Sequence, residues 1–348
     1  MSWIKNKILA LFVKTKGKIS KPLFGGLGHV YMLHRVLPSK ENNHSPFNNG
    51  LAIDPQKLSK TIEYFKQENY DFLSLGEMVD RIEGKKSPKP FIVFTLDDGY
   101  LDNFTNALPI FEKYNVPFCI YITTCFPNNT ATFWWYILEE HVAKNNSLDF
   151  SIEDKSYNFE WKNKAELKKV YPEIKRVIKE ISPTEFKGFI KKTFNISDVD
   201  LRERASKLAM NWEQIKKLTN HPLVTIGSHT LNHLSLKNMS SEQVKTEVES
   251  AKIELEEKLN IKIEHFAYPY GGHNDVSAET SEIVNNIAGI KTAVLNLPGN
   301  LFHELEKNQT LIPRYPLGNN TTEEKLKFQI NGIAHFSNNG WKKIVKLN

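Results

Sequence analysis

The sequence predicts an α/β protein built on a parallel sheet, most simply a barrel or a doubly wound sheet. Three observations point there. Short runs such as Phe91–Leu96 (FIVFTL) are almost wholly apolar, as strands buried on both faces are. Such runs alternate with helical patterns along most of the chain. The polar residues with the most chemistry follow directly on strand ends, where α/β folds place their sites.

Gly28–His34 (GHVYMLH) reads as the first strand. Asp54-Pro55 then opens a helix through about Asn69, with Asp54 as N-cap and proline at the first helical position. A short helix is expected around Gly76–Glu83, the strand at 91–96, a helix ending near Tyr114 and a second buried strand at Phe118–Thr123. Leu223–Gly227 is the next strand. A long helix begins at Ser240, where Ser240 and Gln243 form a capping box and Val244, Val248, Ala251, Leu255 and Leu259 share one face. Strands at Ile263–Tyr268 and Lys291–Leu295 complete the series. The stretch from about Ala131 to Trp212 breaks this rhythm. Leu167, Val170, Ile174, Val177, Ile178 and Ile181 recur there at helical spacing, so a helical insertion is expected.

The chain has 348 residues, with 46 Lys+Arg against 40 Asp+Glu. Six lysines and no acid fall within the first 21 residues, so the remainder is neutral by count. That argues against a nucleic-acid partner. Two cysteines exclude a disulfide scaffold. The apolar run Ile8–Val13 is too short for a membrane span or a secretory signal. As a helix, residues 1–27 would gather Trp3, Ile4, Ile8, Leu11 and Phe12 on one face. Two readings stand: peripheral contact of residues 1–21 with an anionic membrane, or packing on the protein's own body. With no secretory signal, the expected location is cytoplasmic, on the inner face of the membrane if the first reading holds. Residues 28–348 would form one catalytic domain containing the insertion at about 131–212.

Three pieces carry chemistry. Thr95-Leu96-Asp97-Asp98-Gly99 puts adjacent carboxylates after a buried strand, where their repulsion needs a cation or a proton to relieve it. Ser228-His229-Thr230-Leu231-Asn232-His233 spaces two histidines at i and i+4, so that one helical turn could aim both at one metal. Tyr268-Pro269-Tyr270-Gly271-Gly272 is a rigid turn able to aim a backbone N–H.

In order, TLDDG, SHTLNH and YPYG resemble the first three motifs of the polysaccharide deacetylases with NodB homology, carbohydrate esterase family four. The resemblance implies a distorted (β/α) barrel with the insertion added, and metal-dependent removal of acetyl groups from sugars. It implies Asp97 as catalytic base, Asp98, His229 and His233 as metal ligands, and the Tyr270 N–H as oxyanion donor. One carboxylate and two imidazoles leave positions open on a divalent cation such as Zn²⁺, as a catalytic site requires.

Two departures stand out. The family's arginine, two residues before the proline of the third motif, is replaced by Ala267. Arg314, in Ile312-Pro313-Arg314-Tyr315, is the candidate substitute. No C-terminal Leu-x-His motif supplies the acid histidine, and His303 and His335 lack its context. Met32-Leu33-His34-Arg35-Val36 instead resembles the N-terminal segment of bacterial exopolysaccharide deacetylases, which implies His34 as general acid. His273 is a candidate substrate contact, and Trp134 and Trp135 read as core before sugar platform. The expected substrate is an N-acetylated glycan of a surface polysaccharide, a glycolipid or a lipid-linked precursor. An O-acetyl esterase and a non-catalytic carbohydrate-binding relic are the alternatives.

Overall fold

The computed structural model describes residues 25–39, 47–85, 89–332, 335–336 and 339–347. The lysine-rich segment 1–21 and its two readings lie outside them. Among the described residues, no helix is long and apolar enough to cross a membrane.

The strands are β1 (Gly28–Leu33), β2 (Arg35–Val36), β3 (Ala52–Ile53), β4 (Asp71–Phe72), β5 (Phe91–Leu96), β6 (Phe118–Ile122), β7 (Ser147–Ile152), β8 (Lys155–Glu160), β9 (Val224–Ser228), β10 (His265–Ala267), β11 (Thr292–Val294) and β12 (Tyr315–Pro316). The α-helices are α1 (Pro55–Gln67), α2 (Leu75–Ile82), α3 (Leu108–Tyr114), α4 (Trp134–Lys144), α5 (Lys164–Lys179), α6 (Pro183–Phe194), α7 (Asp198–Leu208), α8 (Trp212–Thr219), α9 (Ser241–Leu259), α10 (Ala278–Asn285) and α11 (Glu323–Ile330).

One sheet runs in the order β11-β10-β9-β6-β5-β1-β12, with β4 beside the start of β5, and among the described residues its strands pair in parallel throughout. Ile312 bridges Val294 at the end of β11, and three residues later Tyr315 and Pro316 pair with Tyr31 and Met32 of β1. One segment thus reaches both edges, and the sheet curls into a distorted barrel rather than lying open. Side-chain alternation explains why the strands read as unbroken apolar runs. Tyr31, Ile92, Phe94, Phe118 and Ile120 face the helices, in a core with Leu58, Ile62 and Phe65 of α1. Val30, Val93, Cys119 and Tyr121 point to the other side, with Ala267, Val294 and Ile312. Both faces are covered, so neither needs polar residues.

The helix signals act as expected at the boundaries. Asp54 accepts from the Gln56 N–H at the start of α1, and Ser240 with Gln243 closes a capping box on α9. The insertion departs from the expectation of helices alone. Between α4 and α5 lies an antiparallel hairpin, β7 against β8. Leu148, Phe150 and Ile152 alternate with Asp149 and Ser151, and Tyr157 and Phe159 continue the period-2 pattern beyond a turn at Glu153, whose φ is +51°. That alternation is a strand signal masked by the helical repeat that follows it. Hairpin and helices share an aromatic core including Trp134, Phe150, Trp161 and Tyr171.

Candidate active site

The cleft lies where β1, β5 and β9 end. Leaving β5, Asp98 takes φ +79° and Gly99 φ +91°. A Cβ at Gly99 would also come within 2.9 Å of Ile122 Cδ1, so only glycine fits this reversal. The turn leaves both carboxylates buried at the strand mouth.

Asp97 faces inward to Arg314. The two guanidinium Nη atoms donate to its two oxygens at 2.7 Å each. Arg314 also donates to Thr95 Oγ1 and to the Leu295 carbonyl, both at 3.0 Å, and is fully buried. Burial alone would raise the Asp97 carboxyl, but the guanidinium outweighs it and holds the group below the usual carboxylate range.

Asp98 faces the histidines. Its Oδ1 lies 3.4 Å from His229 Nε2 and 3.1 Å from His233 Nε2, yet makes no hydrogen bond. One donor atom from each of the three residues falls within 4.8 Å of the others. His229 Nδ1 is 2.7 Å from the Ala267 carbonyl, which can only accept, so Nδ1 carries a proton and, in the neutral ring that a metal requires, the Nε2 lone pair faces Asp98. A buried carboxylate oxygen facing two imidazole nitrogens without a well-formed hydrogen bond fits a cation held between them. The donor set of one carboxylate and two imidazoles suits a divalent ion with positions left open.

The histidines do not converge from the helical turn that their spacing suggested. Residues 229–233 form an irregular loop, with Thr230 at φ +68° and His233 at φ +55°. Glu247 on α9 fixes that loop, accepting from the Asn232 N–H at 3.0 Å and from Asn232 Nδ2 at 2.7 Å. Thr230 Oγ1 accepts from the His233 N–H at 3.1 Å.

His34 follows β1 and lines the cleft, partly exposed. Burial pushes its imidazole down, against the pull of Asp98 and Asp97. The next residue anchors it: Arg35 Nε bonds Asp102 Oδ2 at 2.8 Å, and Asp102 Oδ1 accepts the Val36 N–H at 2.7 Å. Tyr270, at φ +59°, packs its ring edge-on 4.8 Å from the His233 ring. Its N–H has no hydrogen-bond partner among the described residues. Gly271 follows at φ +59°, where a Cβ would meet Asn296 N at 2.6 Å.

The cleft measures about 400 Å³, and its far wall belongs to the insertion: Trp134, Trp135, Lys175 and Lys179. Both tryptophans are buried, and the Trp135 ring lies 5.2 Å from that of His233, so core packing and cleft wall are one role here. His303 and His335 are engaged elsewhere, by the Ile82 carbonyl and by the Asn300 N–H and Lys342 carbonyl, and line no part of the cleft. His273 also lies off it. The Arg35–Asp102 pair, Glu247 and the two insertion lysines escaped the sequence reading. Single charged residues carry no local mark of burial.

A family model for polysaccharide deacetylases matches residues 84–189 and 188–286, more than half of the chain. The chain belongs to the polysaccharide deacetylase family. The matched region contains Asp97, Asp98, His229, His233 and Tyr270, while His34 and Arg314 fall outside it. No curated protein sequence matches. Among solved structures, the Streptococcus pyogenes deacetylase PplD in complex with acetate is 17% identical, with a TM-score of 0.55 over 88% of this chain and 97% of that one. IcaB from Ammonifex degensii is 17% identical, with a TM-score of 0.55 over 88% and 98%. A de-N-acetylase from Aggregatibacter actinomycetemcomitans is 13% identical, with a TM-score of 0.54 over 87% and 99%. At these identities the likeness is one of fold, and the fold is that of the family's deacetylase barrel.

Proposed function

We infer that this polysaccharide deacetylase is a metal-dependent enzyme that hydrolyses the acetamide of an N-acetylated sugar, in a surface polysaccharide, a glycolipid or a lipid-linked precursor. The observation that carries the reading is the buried Asp98–His229–His233 cluster beside an Asp97 held ionised by Arg314, all in one cleft.

Asp98, His229 and His233 would hold the ion. A divalent cation there, zinc by the donor chemistry, supplies a Lewis acid that polarises the acetyl carbonyl and acidifies a water. Asp97 stands next to that position without belonging to the cluster, and as base it takes the proton of the attacking water. Arg314 occupies both of its oxygens, keeping it charged in a buried place and fixing its orientation. As the carbonyl carbon becomes tetrahedral, charge grows on its oxygen, and the unpartnered Tyr270 N–H is the donor for it. His34, on the lip that follows β1, gives a proton to the departing amine. Its neighbours Arg35 and Asp102 hold that strand end in place.

The test is acetate release from N-acetylated hexosamine oligomers and from nucleotide- and polyprenyl-linked forms, with and without chelator, alongside a metal analysis of the purified protein. Chelator-sensitive release with about one equivalent of zinc supports the reading. A protein that binds no metal and releases no acetate from any of them would be a binding relic instead. The lysine-rich residues 1–21 suit contact with an anionic membrane, which pelleting with anionic vesicles checks.

A further inference from the structure

Helix α5 of the insertion carries Lys175 and Lys179 four residues apart, so both ammonium groups leave the helix on the same side. Both line the active-site cleft, and both also line a wider groove of about 840 Å³ that continues from it, with Lys169, Arg176 and Lys237 further along. The groove is therefore not a separate cavity but an extension of the cleft past the insertion.

Its charges do not cancel. Arg176 is occupied by Glu173 and Glu180, at 2.6 Å to each. Lys179 is paired with the buried Asp275, and its ammonium sits 4.6 Å from the centroid of the Tyr270 ring. Tyr270 in turn contacts His233, so Lys179 stands one ring away from a candidate metal ligand. Lys237 spends one donor on the His273 carbonyl, which carries no charge. Lys175 is half-buried and makes neither an ion pair nor a hydrogen bond among the described residues; the Tyr171 ring lies 5.9 Å away, and Asp275 and Glu139 act on it only at longer range. The five cations outnumber the carboxylates near them: Glu173, Glu180 and Asp275 are already in contact with Arg176 or Lys179, and Glu139 acts on Lys175 only at longer range. A half-desolvated ammonium with no counter-ion in contact is costly to hold unless a ligand supplies the charge.

We propose that this groove is a subsite for a phosphate or diphosphate ester on the sugar being deacetylated, with Lys175 as its principal contact and Lys179 orienting it beside the cleft. The proposal rests on the deacetylase reading and names the substrate class that reading leaves open. A phosphoryl group in the groove would put the attached sugar in the cleft, between Trp135 and the strand ends. A neutral polymer would leave Lys175 unanswered.

Two measurements on the full-length, metal-loaded protein test it separately. Calorimetry with inorganic pyrophosphate reads the subsite without any turnover. The Lys175→Gln variant is expected to bind pyrophosphate at least tenfold more weakly, and Lys175→Arg to recover most of the loss. If Lys175→Gln binds as tightly as the parent, the anion sits on the metal alone and the subsite is wrong. Kinetics then compare N-acetylglucosamine 1-phosphate and its polyprenyl diphosphate-linked form with neutral N-acetylglucosamine oligomers. The expected result is a preference for a phosphorylated substrate that falls at least tenfold in Lys175→Gln, through KM. An effect on both phosphorylated forms assigns the phosphoryl group itself, and an effect on the lipid-linked form alone assigns the diphosphate. Equal or greater activity on neutral oligomers overturns the proposal even if the enzyme is a deacetylase. Absence of acetate from every substrate, with pyrophosphate binding still dependent on Lys175, instead removes the deacetylase reading and keeps the anion site.

Discussion

The two walls of the cleft are built on different terms. On the barrel wall, buried charge is held in fixed places: Arg314 closes on Asp97 with two 2.7 Å bonds, and Asp98 is set against two imidazoles as part of the candidate metal cluster. On the insertion wall, Trp134 and Trp135 supply surface, while Lys175 is left without an ionic partner. The difference teaches that the barrel fixes what reaction is possible, since its groups are oriented before any substrate arrives. The insertion holds groups whose partners must come from outside, so it bears on what is bound.

Changes on the two walls should therefore differ in kind. The largest effect is expected on the barrel side: Asp97→Asn should lower kcat by about 10³-fold or more, because the proposed base is lost. Metal content, read by elemental analysis, should stay the same, and a variant that keeps its rate would break the comparison. Arg314→Met leaves Asp97 buried with no counter-charge, and urea denaturation should show a loss of about 3–5 kcal/mol. A change below about 1 kcal/mol would mean that Asp97 had found another partner or had taken up a proton.

A third test separates the sheet from the cleft it carries. Burial lowers His265 on β10 to about 4, against an ordinary value of 6.5. Its depressed folded value means that the unfolded chain binds the proton first. Stability should thus fall as pH drops from about 6.5 to 4 and level off below, by up to roughly 3 kcal/mol from this group. His265→Leu should flatten that part of the stability curve, and an unchanged slope would assign the acid sensitivity to other groups. The smallest effect is expected on the insertion wall. Trp134→Phe removes the 3.0 Å bond from Nε1 to the Tyr270 hydroxyl, at a cost of about 1 kcal/mol in thermal or chemical unfolding. A loss several times larger would make that wall part of the rigid frame after all.

What could be read in advance follows the range of the interactions. Strands such as FIVFTL and caps such as Asp54 and Ser240 are set by neighbours within a few residues, and they formed where the pattern put them. The three motifs were legible because each is short and each falls on a strand end. The Asp97–Arg314 pair joins residues 217 positions apart, and only the family's missing arginine drew attention to Arg314. The hairpin at 147–160 was hidden because its alternating pattern is brief and lies beside a stronger helical repeat. The pairing of Arg35 with Asp102 and the role of Glu247 could not be seen, since a charge reads as solvated until the fold shows what covers it. The loop that carries the histidines shows a further limit: i and i+4 spacing says that two rings can converge, but not by what backbone.

That backbone has a consequence for the history and engineering of the protein. Asp98, Thr230, His233 and Tyr270 all sit at positive φ, where a side chain costs on the order of 1–3 kcal/mol relative to a relaxed residue. Glycine or asparagine at any of these positions would relieve that cost and raise the melting temperature. A screen for heat resistance alone would then enrich sturdier proteins in which the ligand cluster or its turn had been exchanged away. Selection on turnover has to be applied continuously to keep these four residues, and relatives freed from it should lose them before they lose the barrel.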